Sequence, residues 1–250
     1  MTNFNKLLIP GILLIAMIGF AFTLPTEPEA SKKTDIGEQF IAKDPKTDNL
    51  LTSENTVLLV IDWQEEMLGM VRNMDKELLT NNIQAMIKTA NVFGIPVIES
   101  TIGVDLGANQ PTVPAIKKVI EEEVNNIDRI SLNAWQNQAV VDAVKKSGRK
   151  KILMTGLWTS GCPTYTTLDA LQDGYEVYVL SDVMGDATTD AHNRAIDRMV
   201  QAGAIPFTWE GAGAEILRAY TNPKAMKDEK IEGGFVGIMK EHFYPFAGKY

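Results

Sequence analysis

The stretch KKILMTGLWTSGCPTYTTLDALQDGYEVYVLSD, residues 150–182, decides the fold of this chain. Its first part, KKILMTGL, is a mostly apolar run that predicts a strand buried on both faces. CPTYTTLDALQDG then predicts a helix that stops at a glycine, and YEVYVLSD predicts a second strand. Two strands joined by a helix with short connections are typical of parallel pairing within one sheet.

The same alternation extends outward in both directions. Further strands are predicted from the runs TVLLVID (56–62), IPVIES (95–100), IDRIS (127–131) and AIPFTWE (204–210). Helices are predicted over residues 76–94, 115–124, 138–148, 190–203 and 213–220. This order indicates the α/β class: a three-layer α/β/α sandwich, Rossmann-like, with a doubly wound, mostly parallel six-stranded sheet.

The first residues, 1–24, are predicted to be a targeting segment. Lys6 precedes an uncharged stretch, residues 7–24, after which the chain becomes polar and proline-bearing. This layout favours a secretory signal peptide, and therefore an exported protein, periplasmic or secreted. An N-terminal membrane anchor is the alternative, because the run approaches the length that spans a bilayer. A membrane partner is expected only if this segment stays uncleaved.

Three regions are predicted after the targeting segment. Residues 25–50 are a polar linker, residues 51–220 carry the alternating pattern of a single domain, and residues 221–250 form a C-terminal tail. The tail contains the apolar and aromatic run GFVGIMKEHFYPF. Such a run favours an arm that packs on a neighbouring subunit, so we expect a homo-oligomer.

Composition excludes several classes of function. The formal net charge of -8 argues against a nucleic-acid partner. The single cysteine, Cys162, has no partner for an internal disulfide. The two histidines, His192 and His242, lie far apart in the sequence, so no metal site is supported, and no cofactor is expected.

Three side chains with catalytic potential lie at or near the ends of predicted strands. Asp62 ends TVLLVID, Arg129 lies in IDRIS, and Cys162 begins the helix after KKILMTGL. In a doubly wound sheet the ligand crevice lies outside the carboxyl ends of the strands. We therefore expect these three side chains to meet in one site.

The position of Cys162 at a helix start favours nucleophilic chemistry. Backbone N–H groups, the helix dipole and a nearby guanidinium all favour the thiolate, so we expect a lowered thiol pKa. An aspartate beside a thiol can take its proton and pass it to a leaving amine. Backbone N–H groups in the turn 159–162 are placed to hold an oxyanion. From the residues alone, an inert structural cysteine remains the alternative.

Five segments together resemble a known family. LLVIDWQ, NAWQN, TGLWTSGC, ALQDGYEVYVLSD and DAHNRAIDRMVQAGA resemble, in order, the motifs of the isochorismatase-like cysteine hydrolases, most closely their YcaC-like branch. The resemblance runs from about residue 45 to residue 220 and identifies 51–220 as the hydrolase domain. It implies a catalytic set of Asp62, Arg129 and Cys162, and a cis peptide bond between Trp158 and Thr159.

The resemblance also implies roles for residues around this set. The backbone N–H groups of Thr159, Gly161 and Cys162 are predicted to bind the oxyanion. A substrate pocket is predicted from residues that border the motifs, with ordinary core packing as the alternative: Trp63, Gln64, Asn133, Trp135 and Trp158.

The predicted function is hydrolysis of a C–N bond in a small amide or carbamoyl-type substrate through a thioacyl intermediate on Cys162. Two other functions stay open at this point. One is a redox-active thiol protein, and the other is a catalytically silent oligomeric binding module whose tail, 221–250, packs on another subunit.

Overall fold

The structure, a computed structural model, describes residues 43–124 and 126–246. The predicted targeting segment and the linker as far as residue 42 lie outside the described residues. Among the helices of the described part, none is both long and apolar enough to cross a membrane.

A six-stranded sheet with strand order β3-β2-β1-β4-β5-β6 forms the centre of the fold, and every pairing in it is parallel. Its strands are β1 (Thr56–Ile61), β2 (Val97–Ile102), β3 (Asn126–Arg129), β4 (Lys151–Leu157), β5 (Glu176–Gly185) and β6 (Ile205–Phe207). The strand order reverses between β1 and β4, which confirms the doubly wound sheet. This reversal is where such folds open a crevice at the carboxyl edge.

Helices cover both faces of the sheet. They are α1 (Glu65–Met70), α2 (Lys76–Phe93), α3 (Pro114–Lys117), α4 (Gln138–Ser147), α5 (Cys162–Gln172), α6 (Thr189–Gln201), α7 (Trp209–Leu217) and α8 (Gly234–Ile238). A 3-10 turn, Ala134–Gln136, precedes α4, and a π-helical turn, Met239–Phe243, follows α8 and leads into a 3-10 turn, Tyr244–Phe246.

Two hydrophobic cores follow from the alternation of side chains along β1. Leu58 and Val60 pack into the core that α2 and α7 cover, whereas Val57, Leu59 and Ile61 pack into the core that α4, α5 and α6 cover. Burial on both sides explains why β1 is apolar without interruption.

Local signals set the ends of the long helices. The Asp75 side chain accepts a hydrogen bond from the N–H of Leu78 and so caps α2, which ends at Gly94 in the left-handed conformation. The Asn137 side chain caps α4 in the same way, and Gly148 ends that helix with a left-handed conformation. Both glycines occupy a region of φ and ψ that other residues rarely adopt.

Two predicted helices differ from the structure. The helix expected over 115–124 is confined to α3, because glutamates 121–123 would lie at the negative end of the helix dipole. The helix expected over 213–220 begins earlier, at Trp209, because the side chain of Thr208 caps it, and it ends at Leu217.

The C-terminal tail packs on its own domain. Phe235 and Ile238 are buried in the core beside α2 and α7, and the Phe235 ring lies 5.9 Å from the ring of Phe93. His242 is also buried and contacts Asn81 and Lys88 of α2. Part of the apolar run is therefore covered by the same chain, whereas Met226 and Tyr244 stay exposed, and the intersubunit role of the tail remains a prediction.

Candidate active site

The carboxyl edge of the sheet brings Asp62, Arg129 and Cys162 together, as expected from their positions after strands. The Arg129 guanidinium donates from Nη1 to Asp62 Oδ1 at 2.7 Å and from Nη2 to Asp62 Oδ2 at 2.7 Å. Both side chains are completely buried. Such a two-point bond fixes the plane of the carboxylate as well as its position.

Arg129 is held in place by more than its partner. Its Nη1 also donates to the carbonyl of Thr101 at 2.9 Å, and its Nη2 to the carbonyl of Leu132 at 3.4 Å. Burial opposes the charge of this guanidinium, but the hydrogen bonds and charge of Asp62 outweigh burial and raise the pKa of Arg129. Arg129 therefore acts as a permanent positive charge.

The Cys162 thiol lies close enough to the Asp62 carboxylate for that carboxylate to affect its pKa. Burial raises the pKa of this thiol to about 12, and the charge and hydrogen bond of Asp62 act in the same direction. The positive charge of Arg129 lowers the pKa of the thiol, but it offsets only part of this increase. The expected lowering of the thiol pKa is thus corrected: at neutral pH the resting group is S–H, because a thiolate would be desolvated beside a carboxylate.

Close approach of the chain places Cys162 near Asp62. A Cβ atom on Gly156 would meet the carbonyl oxygen of Ile61 at 2.8 Å and Cγ of Pro163 at 3.0 Å. Glycine at this position of β4 therefore lets α5 begin directly beside the end of β1. Asp62 itself has φ of 57°, in the left-handed region that aspartate enters more readily than most residues.

The turn before Cys162 differs from the expectation in one respect. No peptide bond of the described residues is cis, so the bond between Trp158 and Thr159 is trans. Trp158 has φ of 57°, and this left-handed conformation turns the chain from β4 into α5.

The N–H groups of this turn already have partners. That of Thr159 donates to the carbonyl of Gly185 at 3.0 Å, and that of Gly161 donates to the carbonyl of Trp158 at 2.8 Å. In this conformation neither is available to an oxyanion, which corrects that part of the expectation. The N–H of Cys162 lies beside its own sulfur and remains a candidate donor.

Sequence reasoning missed Asp186, one of the side chains that hold this turn. Asp186 accepts hydrogen bonds from the N–H of Ser160 at 2.7 Å and the N–H of Ala187 at 2.7 Å. The Thr159 hydroxyl lies 2.9 Å from His192 Nδ1, and the pKa of that histidine is lowered by burial. Asp186 directly follows β5, so the same strand-end argument that selected Asp62 could have found it.

Two of the predicted pocket residues, Gln64 and Asn133, bind the protein itself. Gln64 donates to the carbonyls of Ile102 and Gln110 and accepts from the N–H of Ile102. Asn133 donates to Asp169 at 2.7 Å. Such contacts are structural, and the side-chain nitrogen of Gln64 makes both of its donations to backbone carbonyls.

The tryptophans divide into two groups. Trp135 donates from Nε1 to Asp173 at 2.9 Å, and its ring packs edge-on against Tyr175 at 5.2 Å. Trp63 and Trp158 keep a buried Nε1 for which the described residues offer no hydrogen-bond partner. A buried N–H without a partner is rare. Of the predicted pocket residues, Trp63 and Trp158 are therefore the ones whose side-chain N–H has no partner among the described residues.

Within the described residues no group of three or more histidine, cysteine, aspartate or glutamate side chains is arranged to hold a metal ion. The site itself combines a buried thiol, a buried carboxylate and a fixed positive charge.

Comparison with known proteins assigns the chain to a family. A model of the isochorismatase domain matches residues 56–211. The probable hydrolase YcaC of Escherichia coli is 31% identical over 172 residues, which cover 69% of this chain and 82% of that protein.

Solved structures agree with the sequence comparison. YcaC from Pseudomonas aeruginosa, solved with hexane-2,5-diol and covalent acrylamide, superposes with a TM-score of 0.72 at 31% identity, covering 81% of this chain and 96% of that one. The Escherichia coli YcaC structure, described as an octameric hydrolase of unknown specificity, superposes with a TM-score of 0.72 at 30% identity, covering 80% and 93%. With its doubly wound sheet and this match over most of the domain, the chain belongs to the isochorismatase family of hydrolases and resembles its YcaC-like members.

Proposed function

We propose that this chain is a cysteine hydrolase that cleaves a C–N bond of a small amide or carbamoyl-type substrate. The observation that carries the proposal is the buried chain of contacts from the Cys162 thiol to the Asp62 carboxylate and on to the Arg129 guanidinium. A nucleophile, its base and a group that orients the base is the arrangement that covalent catalysis requires.

The raised thiol pKa decides how the first step proceeds. Because the resting group is S–H, Asp62 takes the proton as the sulfur attacks the carbonyl carbon of the substrate. Arg129 cannot donate its proton at ordinary pH, so it keeps the carboxylate in plane and supplies positive charge while Asp62 handles the proton.

The remaining steps use the same proton. As the tetrahedral intermediate collapses, the C–N bond breaks, and Asp62 returns its proton to the leaving amine, which leaves a thioester on Cys162. Water then attacks the thioester while Asp62 accepts a proton from it. Collapse of the second intermediate breaks the C–S bond, releases the acid and restores the thiol with that proton.

Oxyanion stabilisation falls to fewer groups than expected. The N–H of Cys162 lies beside the reacting sulfur, and it begins an eleven-residue helix whose positive end faces the same region. Recruiting the N–H groups of Thr159 or Gly161 would require breaking their bonds to the carbonyls of Gly185 or Trp158.

The relatives supply further support. The Pseudomonas aeruginosa YcaC structure contains covalent acrylamide, which is itself a small amide. By analogy, we propose that small amides reach Cys162 in this chain. The Escherichia coli YcaC is octameric, so we also propose a homo-oligomer here. Exposed Ile130 and Leu132, which directly follow Arg129, supply apolar surface for such contacts.

A redox role for the thiol is less well supported. Redox-sensing cysteines are accessible and have a low pKa, whereas Cys162 is buried and its pKa is raised to about 12. Export of the protein remains a proposal based on residues 1–24 alone.

The test is turnover of a panel of small amides and carbamoyl compounds, followed by release of ammonia or amine. Wild type is compared with Cys162→Ala, with Asp62→Asn and, as a matched control, with Asp142→Asn, an exposed carboxylate on α4. We expect release by wild type and the control only, and a covalent acyl adduct on wild type by intact-protein mass spectrometry after acid quench. Equal turnover by wild type and Cys162→Ala would refute the cysteine mechanism, and no turnover or adduct with any compound would leave the silent binding module as the better account.

A further inference from the structure

A group of positive side chains lies at the opposite edge of the sheet from Cys162. Lys46, Arg149 and Lys150 line a cavity of about 400 Å³ together with Glu54, Asn55, Ser147 and Gly148. Lys145 and Lys146 follow on the last turn of α4. We call the five positive residues the basic face: Lys46, Lys145, Lys146, Arg149 and Lys150.

The charges of the basic face are not neutralised by the protein. In the described part of the chain, no carboxylate lies within 4.0 Å of any of these five side chains, although neighbouring Lys43 and Lys151 pair with Asp48 and Glu176. The Nε of Arg149 is buried and has no hydrogen-bond partner among the described residues. Glu54 is the one acidic residue that lines the cavity.

Helix stability explains only part of this cluster. Lys145 and Lys146 complement the negative end of α4, as positive residues near a helix C-terminus commonly do. Lys46, Arg149 and Lys150 lie outside that helix, so the dipole does not account for them. Lys150 also rests over the ring of Tyr175, with Nζ 4.9 Å from its centroid, which leaves its charge at the surface.

The rest of the chain makes this concentration of charge informative. The protein carries 32 acidic and 24 basic residues, so a uniform surface would be negative. Lys146 lines a different cavity, beside Glu121 and Glu123. Lys46, Arg149 and Lys150 around one cavity of an acidic body create a local field that attracts an anionic surface, while the remainder of the protein repels it. Such a distribution orients the molecule as well as binding it.

The described part of the chain begins close in sequence to Lys46 of the basic face. Residues 25–42 separate the uncharged stretch 7–24 from the first described residue, Lys43, and a segment of that length spans at most about 60 Å. Lys46, three positions later, already lines the cavity. The described chain therefore enters the domain on the side that carries the basic face.

From these observations we propose that the basic face docks on the surface of a lipid bilayer that contains anionic phospholipids, with a headgroup phosphate between Lys46, Arg149 and Lys150. Positive residues beside an apolar segment are the usual means of binding such a surface. The seven residues of β4 separate this face from the site, a rise of about 20 Å. Cys162 then faces away from the membrane, and substrate reaches it from solution.

The test measures binding of the full chain to vesicles of phosphatidylcholine alone and of phosphatidylcholine mixed with phosphatidylglycerol. Residues 7–24 contribute to both kinds of vesicle, so the ratio of the two partition coefficients reports the preference for anionic lipid. We expect the triple variant Lys46→Glu, Arg149→Glu, Lys150→Glu to lower this ratio by at least about tenfold, since each basic residue near such a surface favours binding appreciably.

A matched control removes net charge as an explanation. Lys118→Glu, Lys227→Glu and Lys240→Glu change the net charge by the same amount at three exposed lysines elsewhere in the domain, and we expect this variant to behave like wild type. The double variant Lys46→Glu, Lys150→Glu keeps partly buried Arg149 and guards against misfolding of the triple variant. Circular dichroism melting curves establish that each variant is folded.

Two outcomes would overturn the proposal. One is an equal ratio for wild type and both basic-face variants, or an equal loss in the control. The other is loss of binding to a single-stranded oligonucleotide in the basic-face variants while the vesicle ratio is unchanged, which would make this a nucleic-acid surface.

Discussion

Two buried carboxylates, Asp62 and Asp182, occupy similar places in the fold and have different surroundings. Asp62 follows β1 and is bonded at both oxygens by Arg129. Asp182 lies in β5, where its Oδ1 accepts the N–H of Trp209 at 3.0 Å, and among the described residues no cation lies within 4.0 Å of it. Burial raises the pKa of Asp182 to about 7.

This difference shows what makes a buried carboxylate useful. A charge taken out of water needs a partner of opposite sign, and without one the group tends to hold its proton. Arg129 supplies that partner for Asp62, the group proposed to accept the proton of Cys162. Asp182 lacks one, and its oxygen serves instead to bond the first N–H of α7.

The largest effect is expected on activity. Asp62→Asn removes the proton acceptor and should lower kcat/KM by about 10²–10⁴-fold on any amide that wild type hydrolyses. Asp182→Asn, the matched change in the other carboxylate, should leave kcat/KM within about twofold of wild type because it touches no reacting group. Steady-state kinetics give kcat/KM for both variants. Comparable losses of kcat/KM in the two would mean that Asp62 has no special role in the reaction.

Removing one charge of the Asp62–Arg129 pair should cost more stability than removing both. Asp62→Asn leaves the Arg129 charge buried without a counterion and should lower the free energy of unfolding by about 3–5 kcal/mol. A double variant, Asp62→Leu with Arg129→Met, removes both charges and should recover much of that loss. Urea denaturation gives the values, and a single variant as stable as wild type would show that the pair is not held as tightly as its geometry indicates.

Asp182 should make stability depend on pH between about 4 and 7. Its folded pKa of about 7 exceeds its ordinary value of 3.8, so the folded state binds more protons in this window and wild-type stability falls as the pH rises through it. Asp182→Asn can still accept the N–H of Trp209 and avoids that loss. At pH 8 the variant should be more stable than wild type by about 2–4 kcal/mol, and at pH 4 the two should agree. A constant gap in urea midpoints across pH would contradict this account.

The smallest effect is expected on thiol reactivity. The negative charge of Asp62 raises the pKa of Cys162, and the positive charge of Arg129 lowers it. Asp62→Asn should therefore speed alkylation of Cys162 by iodoacetamide at pH 9, about tenfold for each unit by which the thiol pKa falls. Arg129→Ala should slow it. The rates follow from mass spectrometry of quenched samples, with Asp182→Asn as the unchanged reference, and slower labelling in Asp62→Asn would mean that this charge does not control the thiol.

Much of the fold was predictable because its signals are local. The apolar run of β1 and the glycine stops at 94 and 148 depend on neighbours in the chain, and each appears where expected. The predicted helix over 115–124 was wrong at its C-terminal part because its glutamates oppose the helix dipole, an effect that apolar spacing does not report.

The position of the site was predictable from the sequence, but the hydrogen-bond partners of the residues around it were less so. Asp62, Arg129 and Cys162 meet because the carboxyl ends of parallel strands lie at one edge, a consequence of topology alone. The roles expected for Gln64 and Trp135 depended on where their polar atoms point, and the structure directs those atoms to Ile102 and Asp173. No periodicity along the chain carries that information.

The sequence by itself determined the α/β class, the order of the elements and the three residues that gather at the carboxyl edge, because hydrophobic period and turn residues act over a few positions. Only the tertiary structure decided that Cys162 rests as a thiol, that the N–H groups of Thr159 and Gly161 are already bonded, and that Lys46 joins Arg149 and Lys150 on one face. Burial and electrostatic fields arise from groups far apart in the chain, so they exist only once those groups have been brought together.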